Sequence, residues 1–390
     1  MKKKVLFIYP HNFLERNMGT NNRVYEIAKY LKNNNFSIDL YSFENFVSST
    51  FNEFQKYNSE GIIDKLFLYD FNHTQKYVRV SSAKGKLQRL ILNLFKLNNI
   101  QKNELDDWVT PIMQEQFNEI LKNDYDYIVM FYVYTGNLLN FTNEKTKKVY
   151  FMEDLLSVGH YITGLSSEIG GPLESEIKRL ENFDEIICIS NDEKIFFEKI
   201  LNKKKFRFLP HLVKNKIEED EINKKDIDLL FIGYDNSYNI EGIRWFLENV
   251  YPHLDSKINI TIAGKVVEHI EENYSNITKL GYVENLDELY SRTKISMCPL
   301  LNGTGMKVKV IEAMSYGIPI VCTSRGVDGF PDKTQNGCLI TDNNKEFGHF
   351  INQLLNDNNF YQKSLNEVAQ YFNKQLSYEQ NASSLKEVFK

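Results

Sequence analysis

Short apolar runs separated by longer amphipathic stretches recur along this chain, and they do so in two series. That alternation of strand-length and helix-length patterns is what parallel sheets with crossover helices require. The first series holds KVLFIYP (4–10), FSIDLYS (36–42), YDYIVMFYV (125–133), KKVYFME (147–153), DEIICIS (184–190) and FRFLP (206–210). Between them lie helical patterns such as TNNRVYEIAKYLKNN, where Val24, Ile27, Ala28 and Leu31 recur at i, i+3, i+4 and i+7. The run NKIEEDEINKKD (215–226) is charged and poor in apolar residues, and reads as a surface link between domains. A second series follows: DIDLLFIG (226–233), a helix over 240–254, INITIAG (258–264), ITKLGYV (277–283), a helix over 286–293, KISMCPL (294–300), a helix over 307–316, IPIVCT (318–323) and GCLI (337–340). The pattern predicts an α/β chain of two doubly wound domains, over 1–212 and 213–370, with a helical tail beyond.

At 390 residues the chain is too long for one ordinary core, and its 27 Phe and 23 Tyr supply two. A hydrophobic share of 42% with 25% charged residues is that of a water-soluble globular protein. The net charge of -5 argues against a nucleic-acid partner, which demands a basic excess. The apolar run Val5 to Tyr9 is too short for a signal-peptide core, and no run spans a bilayer, so a cytoplasmic location is expected. Residues 84–103 pair Leu87, Leu90, Ile91, Leu94 and Phe95 with Lys84, Lys86, Arg89, Lys96 and Lys102. Such a basic amphipathic helix either lies peripherally on an anionic membrane or packs on its own domain. Cys188, Cys298, Cys322 and Cys338 form no CxxC pair and read as structural thiols. No His/Cys/Asp cluster has metal-ligand spacing and there is no Asp-x-Asp, so no metal or other resident cofactor is expected.

The stretch GTGMKVKVIEAMSYGIPIVCT (303–323) carries the clearest chemistry. Each glycine at a helix start costs about 0.5–1 kcal/mol of ordering entropy relative to alanine. Gly303 and Gly305 offset that cost if backbone N–H groups must approach an anion at a strand-to-helix turn, where the helix dipole also favours negative charge. Lys307 and Lys309 add positive charge there. Val310, Ala313, Met314 and Gly317 form the core stripe, so Lys309, Glu312 and Tyr316 share another face. An ionised Glu312 accepts hydrogen bonds, for example from a pair of sugar hydroxyls. The other reading makes Lys309 and Glu312 a solvated ion pair worth about 0.5 kcal/mol or less. In the first series, Gly19, Thr20 and Arg23 stand at the start of the first helix and either approach a phosphate or acceptor, or form a plain helix start capped by Thr20 or Asn21. His11 and His211 follow strands, and read as cleft-facing or as ordinary loop histidines.

PLLNGTGMKVKVIEAMSYGIPIVCTSRGVDGF resembles the donor-site signature of GT-B glycosyltransferases, particularly the family 4 group. DLLFIGYDNSYNIEGIRWFLENVYPHL resembles the first strand, glycine turn and helix of that family's donor domain. INITIAG with ITKLGYVENLDELYSRTKISMCPL is similar to its central strands, and FDEIICISNDE with FRFLPHLV to the end of its acceptor domain. The resemblance implies two Rossmann-like domains facing across a cleft, with a helix over 371–390 crossing back to the first. It further implies a metal-independent, retaining transfer from a nucleoside diphosphate sugar, UDP preferred, to a glycan, lipid-linked or protein acceptor. Glu312 would bind the ribose hydroxyls. Gly303, Thr304, Gly305 and Met306 would contact diphosphate and sugar, and Lys307 or Lys309 would neutralise the leaving group. Gly281, Tyr282 and Val283 would meet the base, and Gly233 and Asn239 would flank the phosphates. Asp154 or His160, after the strand ending at Glu153, would orient or deprotonate the acceptor hydroxyl, whereas outside the resemblance Asp154 reads as a turn or cap. Many members carry a Glu-x7-Glu pair whose earlier position is Thr304 here. That departure keeps open a non-catalytic subunit that binds a partner transferase or glycan, and because a fold alone does not set the reaction a nucleotide-sugar epimerase is a further rival.

Overall fold

The computed structural model describes residues 2–16, 19–43, 58–69, 104–142, 144–217, 225–303 and 305–390. Segment 84–103, with its expected amphipathic helix, and Thr304 lie outside the described residues. The chain divides into two compact units, one of Met1–Cys188 with Lys194–Phe208, the other of Ile189–Glu193 with Leu209–Lys390.

The first unit is built on a parallel seven-stranded sheet. Its strands are β1 (Lys4–Ile8), β2 (Ser37–Phe43), β3 (Lys65–Tyr69), β4 (Tyr127–Met130), β5 (Lys147–Met152), β6 (Glu185–Cys188) and β7 (Lys205–Phe208), in the order β3-β2-β1-β4-β5-β6-β7. Val5 pairs with Ile38 on one side and Tyr127 on the other, and Val5 to Ile8 are all buried, so β1 is covered on both faces and reads as a continuous apolar run. Leu6, Ile8, Tyr41, Met130, Tyr150 and Ile186 fill one face of the core. The helices are α1 (Gly19–Asn33), α2 (Pro111–Leu121), α3 (Leu156–Ile162), α4 (Gly170–Leu180) and, running into it from 191, α5 (Asn191–Ile200). Thr110 caps α2 by accepting from Met113 N at 3.1 Å, with Pro111 at the first position, where a missing N–H costs nothing. β3 escapes a sequence reading because its KLFLY is short and only Tyr69 is buried.

The second unit holds a parallel six-stranded sheet in the order β10-β9-β8-β11-β12-β13. These are β8 (Ile227–Ile232), β9 (Ile260–Ala263), β10 (Ile277–Leu280), β11 (Thr293–Cys298), β12 (Ile320–Cys322) and β13 (Cys338–Ile340). Its helices are α6 (Ser237–Trp245), α7 (Leu286–Ser291), α8 (Val308–Ser315), α9 (Asn344–Asn356), α10 (Asn358–Tyr371) and α11 (Tyr378–Val388). The helix expected over 240–254 is α6 followed by a π turn at Phe246–Val250 and a 3-10 turn at Tyr251–His253, where Pro252 cannot continue an α-helix. The expected strand 277–283 stops at Leu280, and Tyr282 beyond it is 76% exposed. The chain's many asparagines have local work: Asn236, Asn285 and Asn343 cap α6, α7 and α9, each side chain accepting from a first-turn N–H. The tail clusters with this unit, where Tyr378 N donates to Val213 O at 2.8 Å.

Among the described residues no helix is long and apolar enough to cross a membrane. Cys188, Cys298 and Cys322 are buried and, like Cys338, unbridged. The described residues contain no group of three His, Cys, Asp or Glu placed to hold a metal ion.

Candidate functional site

In an open parallel sheet the crevice for a ligand forms at the carboxyl ends of strands, where the strand order changes direction. In the second unit that switch lies between β8 and β11, which run side by side with Leu229 beside Ile295. Each leads into a helix, β8 into α6 and β11 into α8, so two helix N-termini open at the same place. Lys309 Nζ donates to Asn239 Oδ1 at 2.7 Å and so joins the first turns of both. Asn239 is held in turn, its amide N–H donating to Asn236 Oδ1 and its side chain to Tyr234 O.

The loop ahead of α8 explains its glycines. Gly303 has φ 113° and Gly305 φ 70°, a region that side chains rarely adopt. A Cβ on Gly303 would stand 3.6 Å from the Tyr238 ring. Lys307, the residue before α8, has no side-chain capping bond and turns its Nζ onto Gly305 O at 2.8 Å. Met306 is buried.

Lys309 is half-buried, with its ammonium 4.3 Å from the centre of the Phe231 ring. Burial pushes it down to about 8, with Lys307 adding to the depression while Cys298 and Glu312 oppose it. Glu312, one turn on, accepts from Tyr290 OH through Oε2 at 3.1 Å. Burial raises its pKa, and the Tyr290 hydrogen bond, Lys216 and Lys309 work against the rise. The ion-pair reading of Lys309 and Glu312 is therefore corrected, because each side chain is engaged by a different partner. Sequence patterns did not single out Tyr290. The only trace is its place in DELYSRTKIS, just before a core strand.

Three glycines close the other side of the switch. Gly264 has φ 95°, and a Cβ there would fall 2.2 Å from Gly233 O. Its N–H donates to Gly281 O at 2.9 Å, while Gly233 N donates to Ala263 O. Gly233 and Gly281, both expected at the site, thus meet through Gly264, which the sequence reading passed over as part of INITIAG. Gly281 and Tyr282 are exposed and Val283 is half-buried.

In the first unit the switch lies between β1 and β4. Gly19 and Thr20 open α1 there and are half-buried. Thr20 and Asn21 are already inside the helix, so neither is its cap, and Asn21 accepts from Tyr9 OH at 2.7 Å instead. Arg23 corrects its expectation: its side chain is fully buried, with Nε 3.3 Å from Glu153, rather than presented at a ligand loop. Position 23 falls on the same helical stripe as Ile27, which turns it inward. Burial pushes Glu153 up to about 7, with Arg23 opposing and Asp154 adding. Asp154 is half-buried just after β5. It lies near Tyr132, whose pKa burial raises first, with Asp154 and Glu153 adding and the Thr20 hydroxyl opposing. Thr20, Tyr132, Glu153 and Asp154 therefore share one end of the sheet.

His160 is buried on α3, and its Nε2 lies 3.0 Å from Tyr134 OH, the two rings stacked at 6.0 Å. No residue of α3 caps its N-terminus. Glu176 of α4 does so from a distance, accepting from Leu156 N, Ser157 N and Ser157 Oγ at 3.1, 3.0 and 2.7 Å. Its negative charge at a helix N-terminus also complements the dipole. His11 is half-buried against the Tyr9 and Tyr132 rings, and His211 is buried in the second unit.

Residues 226–357 match the family described as glycosyl transferases group 1. A curated relative, an uncharacterized 44.6 kDa protein in the cps region of Klebsiella pneumoniae, is 26% identical over 277 residues, or 66% of this chain. The match spans 64% of that relative's length. Among solved structures the chain is similar to TarM, with a TM-score of 0.69 at 14% identity over 100% of this chain and 99% of that one. It is similar also to sucrose-phosphate synthase from Thermosynechococcus elongatus, at 0.67 and 14% over 100% and 98%. Anabaena HepE, in complex with UDP and glucose, gives 0.65 and 11% over 99% of both chains. At these identities the structures establish the fold, which is GT-B.

Proposed function

From a chain that has the GT-B fold and whose residues 226–357 match the glycosyl transferases group 1, we propose a sugar transferase that uses a nucleoside diphosphate sugar. The observation that carries this reading is the arrangement at the β8/β11 switch. There a half-buried carboxylate, Glu312, follows by one turn a lysine that joins two helix N-termini, behind a loop of two positive-φ glycines. That geometry suits a ribose diol next to a diphosphate.

Glu312 accepts from the ribose hydroxyls, and the amides around Gly303 and Gly305 with Met306 line the diphosphate and sugar. Lys309 and Lys307 stabilise the charge that gathers on the diphosphate as the glycosidic bond breaks. Gly233 and Asn239 flank the phosphates, and the exposed Gly281–Val283 loop meets the base. The proposed donor is a UDP-sugar, a preference supported by the UDP named with HepE. Transfer proceeds with retention and with no required metal.

The acceptor side is the first unit, with Asp154 orienting or deprotonating the hydroxyl. His160, whose Nε2 lies 3.0 Å from Tyr134 OH, is the second candidate for that role, and Gly19 and Thr20 line the approach. The acceptor is a glycan, lipid-linked or protein hydroxyl.

Thr304 in place of the usual acid favours a second reading, a non-catalytic subunit that binds a partner transferase or a glycan. A thermal-shift panel of UDP-, GDP- and dTDP-sugars, followed by assays of transfer and donor hydrolysis, separates the two. A donor that raises Tm and is consumed supports the transferase, and binding without consumption under any acceptor supports the subunit. No Tm shift with any donor contradicts the transferase.

A further inference from the structure

Tyr290, at the end of α7, is buried, and its hydroxyl has one proton to give. Two acceptors lie within reach, Glu312 Oε2 at 3.1 Å and Lys309 O at 3.4 Å, so the shorter, charge-assisted bond takes the proton. Among the described residues Glu312 Oε1 has no hydrogen-bond partner. One oxygen of the carboxylate is thus tethered to the protein and the other is left to accept.

Tyr290 is itself braced. Its ring stacks on Tyr316 with centroids 5.2 Å apart and planes at 23°. Tyr316 OH donates to Asp287 Oδ1 at 2.5 Å, and the same oxygen accepts from Lys216 Nζ at 2.6 Å. Lys216 lies in the link segment, and its N–H donates to Ser315 O at 2.8 Å. Lys216, Asp287, Tyr316 and Tyr290 form a chain of contacts that ends on Glu312.

We propose that Tyr290 is a positioning residue for donor recognition: it fixes the Glu312 carboxylate through Oε2 so that Oε1 accepts from the ribose diol of a nucleoside diphosphate. This rests on the reading of Glu312 as the ribose ligand. A carboxylate free to rotate would have to be ordered at each binding event, and a residue that never touches the ligand removes that requirement. Burial raises the phenol far above its usual range, which keeps it a donor at any working pH.

The test uses the full chain and calorimetric titration with UDP, GDP and ADP, then the 2′-deoxy counterpart of whichever binds. Tyr290→Phe keeps the ring stack and deletes the one donor. It should weaken ribonucleotide binding about tenfold, as expected for a lost hydrogen bond to a charged group, and change 2′-deoxynucleotide binding far less. Glu312→Gln should weaken the ribonucleotide at least as much, and the double variant should bind no worse than Glu312→Gln alone. Should Tyr290→Phe fail to fold, Asp287→Asn loosens Tyr316 and should give a smaller loss with the same preference for the ribonucleotide. If Glu312→Gln weakens binding but Tyr290→Phe does not, or if the two losses add, the inference is overturned while the donor site stands. If Glu312→Gln changes nothing, or none of the three nucleotides binds the unaltered protein, the donor-site reading falls and the inference with it.

Discussion

Lys309 Nζ and Asn239 Oδ1, 2.7 Å apart, tie the first turn of α8 to the first turn of α6 across two neighbouring strands of the sheet. The bond places a cation where two helix N-termini open, and a diphosphate there would meet it directly. Lys309→Ala should lower turnover about a hundredfold through lost leaving-group stabilisation, with Tm little changed. Steady-state kinetics beside a thermal melt would check this. An unaltered rate would remove Lys309 from the mechanism.

The same lysine sets a pH limit. Its pKa is pushed down to about 8, so it is charged below that value and loses its charge as pH rises through it. The kcat/KM for donor, which reports the free enzyme, should fall above pH about 8. In Lys309→Arg, the guanidinium does not deprotonate in this range, and any residual activity should lack that alkaline fall.

Gly264 and Gly281 make a matched pair of glycine substitutions. At Gly264, φ is 95° and a new Cβ would lie 2.2 Å from Gly233 O, whereas nothing stands within 4 Å of a Cβ at Gly281. Gly264→Ala should cost about 3 kcal/mol or more, because backbone must move in a left-handed position. Gly281→Ala should stay within about 1 kcal/mol. Urea unfolding of both variants provides the comparison.

Glu153 gives the fold a pH signature of its own. Its pKa is raised from 4.5 to about 7, so the folded state disfavours its charged form. The stability tied to neutral Glu153 is fully present below the unfolded pKa, and it is lost as pH rises through the folded value. Glu153→Gln should therefore gain Tm relative to the parent more at pH 8 than at pH 5. An identical difference at both pH values would contradict the assignment.

The central strands of both sheets are legible in the sequence because they are buried on two faces, and KVLFI or DLLFI needs no partner to reveal itself, whereas the less buried edge strand β3 does not. The glycine loop before α8 is legible for a related reason, since glycines at a helix start are locally unfavourable and signal a requirement. What stayed hidden was decided by tertiary contact. Arg23 carries a charge that suggests surface, but its helical phase turns it into the core against Glu153. Glu176 looks like any helical acid until α3 is seen to lack a local cap. Tyr290 could not be found by spacing, because the residue it serves is 22 positions away.

On the proposed reading, the β11–α8 turn and Glu312 hold a nucleoside diphosphate together. A crystal soaked in UDP tests it most directly. Diphosphate density is expected at the amides between Gly303 and Lys309, with the ribose hydroxyls within hydrogen-bond distance of Glu312. Nucleotide bound elsewhere on the chain, with this turn empty, would contradict it.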